Sequence, residues 1–351
     1  MMNKKHVQKC SPRRYPAILI VTVFIMTATL YIQSESSFNS KTKLSKLSDS
    51  QRQDLKDIYV KTYKGLVSMD ELNNNVYKKF GYEIVEPTLP VPILRMIEEP
   101  TCAEVFSDWQ AISEQPQPEF PPKTIPWYRN DKNSKQGEKP RNWDKLSEMI
   151  TWPKKKLGGL AYGTDGVSMY NAMKFHRLDE KNGVVIGSMQ PWVEISALVN
   201  GAAKVLTVEY NDLDIQEEFK NRMSSILPIE LVKHWQAYAR KSIPKCNIPV
   251  QIRKYGDPID PIGDIREVLK IKCMLKQGGL LFIDFPLGTD AIYYNAHRTY
   301  GPIRLAMLFS GFEILGTFTG NSEMPETLTS ERLQSEDNFK YNQNTIVLRK
   351  L

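Results

Sequence analysis

The sequence predicts a doubly wound α/β fold on a mostly parallel sheet. Three observations carry that prediction. Two short, β-rich apolar runs, GVVIGS from Gly183 and KVLTVEY from Lys204, are separated by a helical stretch. A later run, GGLLFIDFPLG from Gly278, is apolar almost throughout, as strands buried on both faces of a parallel sheet are. Helical patterns alternate with these runs, which is the order of βαβ units.

Each element follows from local chemistry. Gly183–Ser188 reads as a buried strand. Pro191 suits the first turn of a helix that runs through Glu194 and Leu198 to a stop at Gly201. Lys204–Tyr210 is the second strand. GDIREVLKIKCMLKQGG reads as a helix in which Asp264 and Glu267 have capping-box spacing and Gly278 takes the left-handed C-terminal position. Pro302 opens another helix, Gly311 closes it, FEILGTF is the next strand and NTIVLRK the last. Upstream of Trp143 regularity is lost. Prolines crowd between Glu86 and Pro140 and predict irregular, extended chain anchored on the domain surface by Trp109, Phe120, Trp127 and Tyr128. Residues 34 to about 60, rich in Lys and Ser, suit a stem.

The N-terminus predicts a membrane anchor. The net charge is +7, and Lys4, Lys5, Lys9, Arg13 and Arg14 all precede the first acidic residue, Glu35. Residues 15–34, including YPAILIVTVFIMTATLYI, carry no charge, which suits a span of about 20 residues. Basic residues before the span and an acid after it place the N-terminus in the cytoplasm. A cleaved signal peptide ending near Ala28 is the alternative, although its apolar core is expected to be only about 7 to 15 residues. The expected organisation is a tail over 1–14, a signal anchor over 15–34, a stem and proline-rich segment over 35–140, and the α/β domain over 141–351. The body is then luminal, in a single-pass type II protein of the endoplasmic reticulum or Golgi. No Asn-x-Ser/Thr site occurs, which argues mildly against a luminal body. With the five basic tail residues set aside, the excess of +2 offers no stripe for nucleic acid. Cys102, Cys246 and Cys273 allow at most one internal disulfide and match no zinc spacing, and Cys273 reads as a core residue. Cys10 is a candidate for palmitoylation.

In a doubly wound sheet, ligands bind outside the carboxyl ends of the strands, so the turn after the first strand is the candidate site. Gly187, Ser188, Pro191 and Trp192 form that turn. Glu209 follows Gly187 by 22 positions, close to the roughly 20 expected of the acid that accepts a ribose hydroxyl in a Rossmann-like unit. Tyr210 and Asn211 follow it. The turn has one glycine where dinucleotide sites have three, which hinders the approach of a pyrophosphate. A nucleoside cofactor without phosphates, S-adenosylmethionine, is less demanding.

The strings VVIGSMQPWVEISALVNGAAKVLTVEYN, KYGDPIDPIGD, LKQGGLLFIDFPLGTDAIYYNAHRTYGPIRL and GFEILGTF resemble a nematode (Caenorhabditis) family of proteins of unknown function with a methyltransferase-like domain. The resemblance covers roughly residues 160 to 350. It implies a class I, methyltransferase-type sheet and S-adenosylmethionine as cofactor, without an established reaction. Family members carry a Glu-His pair just before a Tyr-Gly-Asp-Pro phrase. Here the corresponding stretch, WQAYARKSIPKCNIPVQIRKYGDP, is shorter, and only Ile248–Ile252 is left to serve as that strand.

Among the remaining groups, His297, in the loop after the GGLLFIDFPLG strand, is the best general base, because imidazole titrates near neutral pH. Asp257, with Asp260 and Asp264, could face the cofactor or hold a cation, or serve as turn and cap residues. Arg298 and Arg304 read as surface residues or as binders of an acidic group. His176 and His234 read as structural. The leading function is S-adenosylmethionine-dependent O-methyl transfer to a secretory-pathway acceptor such as a glycan. The alternatives are a non-catalytic scaffold, and a metal-dependent glycosyltransferase using Asp212-Leu213-Asp214.

Overall fold

The apolar runs of the C-terminal half form strands. The computed structural model describes residues 55–107, 123–125, 140–160, 164–238, 262–293, 297–335 and 343–351, all within one unit, Ser48–Leu351. Helix α1 is Thr164–His176, strand β1 Asn182–Ile186, helix α2 Trp192–Val199, strand β2 Lys204–Val208 and strand β3 Met223–Ile226. Helix α3 (Gly263–Met274), strand β4 (Leu280–Pro286), helix α4 (Pro302–Leu308) and strands β5 (Phe312–Thr319) and β6 (Gln343–Lys350) follow.

These strands pair in two three-stranded sheets rather than in the single doubly wound sheet expected from the sequence. β3, β2 and β1 lie side by side in that order, all parallel. β4, β6 and β5 form a second sheet in which β6 is antiparallel to both neighbours, so that β4 and β5 run the same way. The expected mixture of helices and strands is present, but parallel pairing is confined to part of it, and among the described strands parallel and antiparallel pairs are nearly balanced. In the second sheet, antiparallel pairing comes from the final strand, inserted between β4 and β5. Ile248–Ile252, Asp257 and Asp260 lie outside the described residues, as do Trp109, Phe120, Trp127, Tyr128, Cys10 and Cys246.

One core serves both sheets. Val185 and Val205 of the first sheet pack into the same cluster as Phe282, Phe318 and Val347 of the second, with Trp192 and Met169 among them. α1 joins the two, since it touches α2 on one side and β4, β5 and β6 on the other. β4 buries every residue but its last, and each large side chain so buried stabilises the fold by about 1.5–3 kcal/mol.

Helix boundaries follow the punctuation of the sequence. Pro191 sits at the N-cap of α2, Gly201 is left-handed just past its end, and Pro302 opens α4. Gly278 is also left-handed, but in the turn into β4, because α3 ends at Met274. Asp264 does not cap α3. Ile262 holds the N-cap position, and Asp264 is buried inside the first turn.

The stretch from 55 to 107, expected as stem and irregular lead-in, contains regular structure. Two antiparallel hairpins, Tyr59–Thr62 with Gly65–Ser68 and Tyr82–Glu86 with Ile93–Met96, flank a helical run over residues 69–80. Tyr82 and Ile84 alternate inward, a period of two that the prolines following from Pro87 obscured. A short helix, Cys102–Ser107, then packs against α3. Cys102 and Cys273 form a disulfide across 171 positions, with Cα atoms 5.7 Å apart. Cys273 is therefore a covalent tie between lead-in and domain rather than an apolar core residue. Among the described residues no helix is long and apolar enough to cross a membrane, and residues 15–34 lie outside them.

Candidate functional site

Three strands of the parallel sheet end beside one another. Gly187, directly after β1, has φ +73°, a left-handed conformation that favours glycine. A side chain there would meet nothing within 4 Å, so the backbone angle, not crowding, selects the residue. The Gly187 N–H donates to the carbonyl of Val208 at 2.9 Å, and the Glu209 N–H donates to Ile226 at 3.2 Å. The turn, Glu209 and the end of β3 are thus stitched into one edge.

Glu209 is only 5% exposed. Its Oε1 accepts from the Asn211 side chain at 2.9 Å and from the Asn211 backbone N–H at 3.4 Å, so Asn211 fixes the carboxylate's direction. Tyr210, between them, is 72% exposed. Ser188 is buried beneath the turn, while Met189 is exposed. Pro191 is buried at the helix start. Trp192, expected to face a ligand, is 1% exposed and belongs to the core cluster. The structure therefore brings Gly187, Ser188, Glu209 and Asn211 to one edge, while Trp192 is buried in the core.

Sequence reasoning missed Glu194. This residue has 0% exposure, in a helix whose remaining side chains are largely apolar. Its Oε1 accepts from the Thr207 hydroxyl at 2.9 Å, and its Oε2 lies 3.0 Å from the Ser188 hydroxyl. Burial pushes its carboxyl up to about 7. The hydrogen bonds from its own backbone, Thr207 and Ser188 pull the other way, and the charge of Glu209 adds to the rise. The signal was visible in WVEISALV, a charge at the third position of a helix with no polar stripe.

A second polar cluster lies behind α3. Arg304, buried, donates through Nε to Asp264 Oδ2 at 3.1 Å and through Nη2 to Oδ1. Arg298, also buried, approaches the same carboxylate at 3.8 Å. Neither arginine is a surface residue, contrary to expectation, and Asp264 is engaged with both of them. Asp290 accepts from the backbone N–H groups of Gly301, Ile303 and Arg304 at 3.0–3.1 Å and so caps α4. Burial pushes its carboxyl up to about 6 despite those bonds. His297 is the first residue of a short strand, His297–Thr299, paired with Ala291–Tyr293; its side chain lies outside the described residues, as Asp257 does entirely. His176 packs edge-on against Phe282 and Phe318, and burial lowers its pKa, as befits a structural histidine. Asp212 and Asp214 are exposed, and among the described residues no group of three or more His, Cys, Asp or Glu is placed to hold a metal.

Taken together, these features define a mixed α/β protein with a single-glycine turn and a buried acid at the carboxyl edge of a parallel sheet. Residues 180–351 match the family described as "Caenorhabditis protein of unknown function, DUF268", so the recognised resemblance holds over that part of the chain. No curated protein is similar to the chain. Among solved structures, a candidate SAM-dependent methyltransferase from Streptococcus mutans is 12% identical, with a TM-score of 0.35, over 53% of this chain and 48% of its own. The chain thus spans about half the length of that protein. A candidate methyltransferase from Thermobifida fusca is 13% identical, with a TM-score of 0.38, over 72% of this chain and 95% of its own. The Burkholderia thailandensis 1,6-didemethyltoxoflavin-N1-methyltransferase, solved with S-adenosylhomocysteine, is 13% identical, with a TM-score of 0.36, over 66% and 94%. Likeness at these scores is too slight to define fold or chemistry.

Proposed function

We propose that the α/β domain binds S-adenosylmethionine at the carboxyl edge of β1 and β2 and transfers its methyl group to an oxygen acceptor. The observation that carries this reading is the pairing of the left-handed Gly187 turn with the buried Glu209 carboxylate, held one residue apart by the Gly187–Val208 hydrogen bond. The donor set fits a nucleoside. Glu209 is a buried acceptor whose Oε1 is oriented by Asn211, suited to ribose hydroxyls, and the space over Gly187 is open. A single-glycine turn suits a ligand without a pyrophosphate.

When bound, S-adenosylmethionine supplies an activated methyl group. The chain's own work is to hold the nucleoside through Glu209 and the turn, to orient the acceptor, and to take the acceptor's proton. His297 and Asp257 are the groups we assign to that proton. Anchorage through residues 15–34 with a luminal body, and a glycan as acceptor, complete the reading. The Cys102–Cys273 disulfide supports the luminal placement, because such bonds persist in oxidising compartments.

Calorimetric titration of the full-length chain with S-adenosylmethionine, alongside Glu209→Ala, tests the proposal. Binding that weakens by about 1–3 kcal/mol in the variant supports it. A folded protein with no binding sinks it, and directs attention to a non-catalytic scaffold or, through a manganese and sugar-nucleotide titration, to Asp212 and Asp214.

A further inference from the structure

Glu194 is shut away from any ligand, yet it joins the elements that frame the turn. Thr207 of β2 donates to its Oε1, and Ser188 of the turn lies against its Oε2. The Ser188 hydroxyl also lies 2.9 Å from the carbonyl of Gln190. A hydroxyl has one hydrogen, so Ser188 can donate to Gln190 or to Glu194 but not both, and the Gln190 carbonyl also accepts from the Trp192 N–H at 2.8 Å. A protonated Glu194 removes the conflict. Its Oε2–H donates to Ser188, Ser188 donates to Gln190, and Thr207 donates to Oε1, so every group in the chain of bonds is satisfied. An ionised Glu194 draws the Ser188 hydrogen to itself, so the tie from Ser188 across the turn to Gln190 is lost and the Gln190 carbonyl keeps only the Trp192 N–H.

We propose that Glu194 is the positioning residue of the Gly187–Pro191 turn, and that its protonated form holds the turn in the shape that receives the ligand. The functional consequence rests on the turn being the cofactor site; the proton itself does not. Burial favours the protonated acid, and so does the charge of Glu209. The elements packed against α2 are β2, α1 and the short helices Leu146–Met149 and Lys154–Gly159. Their charged groups Glu148, Lys154, Lys155, Lys156, Lys174 and Lys204 lie at or near the surface, His176 is half-buried at the end of α1, and the Asp165 side chain lies outside the described residues. Lys154 and Lys174 pair with Glu323, and Lys156 pairs with Glu148. None of them offsets the preference for the proton.

The sign follows from linkage. The folded state holds a proton that the unfolded state releases above the ordinary carboxylate range. Stability therefore falls as pH rises through that window to about 7, by roughly tenfold in the folding constant per pH unit. Glu194→Gln is the decisive variant. Its amide donates to Ser188 and accepts from Thr207, as the protonated acid does, but it does not titrate.

Urea unfolding of the full-length chain at pH 5, 6, 7 and 8 should show the wild type losing about 40-fold in folding constant between pH 5 and 7 relative to Glu194→Gln. Thr207→Val, which removes a bond favouring the ionised form, should move that loss to higher pH. Affinity for S-adenosylhomocysteine should weaken by about tenfold from pH 6 to 8 in the wild type, the scale of one hydrogen bond, and stay level in Glu194→Gln. Parallel pH profiles for wild type and Glu194→Gln overturn the proposal. Divergent stability profiles with no S-adenosylhomocysteine binding at any pH uphold the proton on Glu194 and sink the cofactor reading instead.

Discussion

Gly187 donates its backbone N–H to the carbonyl of Val208 at 2.9 Å, which sets a left-handed turn directly beside the acid at the end of the second strand. Gly187→Ala leaves that bond intact and introduces no clash, since the space is open. The cost is conformational, about 1–2 kcal/mol by urea denaturation. Ligand affinity should fall as the turn relaxes. A stability loss much larger than this would show that the turn is packed by more than its backbone.

Asp264 faces two buried arginines, Arg304 and Arg298. Removing the carboxylate in Asp264→Ala leaves buried positive charge uncompensated, and should cost about 3–5 kcal/mol. Replacing Asp264 and Arg304 together by Leu and Met should cost less than Asp264→Ala alone, because one of the stranded charges is removed with its partner. Equal losses in both would mean that packing, not charge, sets the penalty.

Asp290 carries the N-terminus of α4 on its carboxylate, and its pKa is raised to about 6. A raised carboxylate contributes a stability term that is lost as pH climbs from the ordinary Asp range to about 6. Asp290→Asn should abolish that part of the slope and, having one acceptor oxygen for three backbone donors, cost about 1–3 kcal/mol at neutral pH. Thermal unfolding from pH 4 to 7 distinguishes its window from that of Glu194, which extends about a unit higher.

The Cys102–Cys273 bond closes a long loop, so its removal should cost about 2–5 kcal/mol. Thermal unfolding with and without reductant, compared with Cys273→Ser, checks the size of the effect. Peptide mapping of protein alkylated during isolation checks that the bond forms in the cell. Free Cys102 and Cys273 under those conditions would remove the support for a luminal body.

The sequence by itself determined the alternation of strand and helix, the punctuation at Pro191, Gly201 and Pro302, and the spacing from Gly187 to Glu209. These are local properties, set by side-chain period, by the fixed φ of proline and by the tolerance of glycine for positive φ, so one dimension suffices to read them. The hairpins between 55 and 107 were less legible, since Tyr82 and Ile84 give only two inward positions between prolines and loops. Only the tertiary structure decided where charge is buried. Arg298 and Arg304 read as surface residues in a string of letters, Asp264 as a turn or cap residue, and Glu194 stands out only as a lone charge in an apolar helix, because the cost of taking a charge from water depends on partners distant in sequence. Thr207 lies 13 positions from Glu194, Arg304 lies 40 from Asp264, and Cys273 lies 171 from Cys102. Each pairing exists because a helix packs on a strand or on another helix, α2 on β2, α4 on α3 and Cys102–Ser107 on α3, and no local pattern records that proximity.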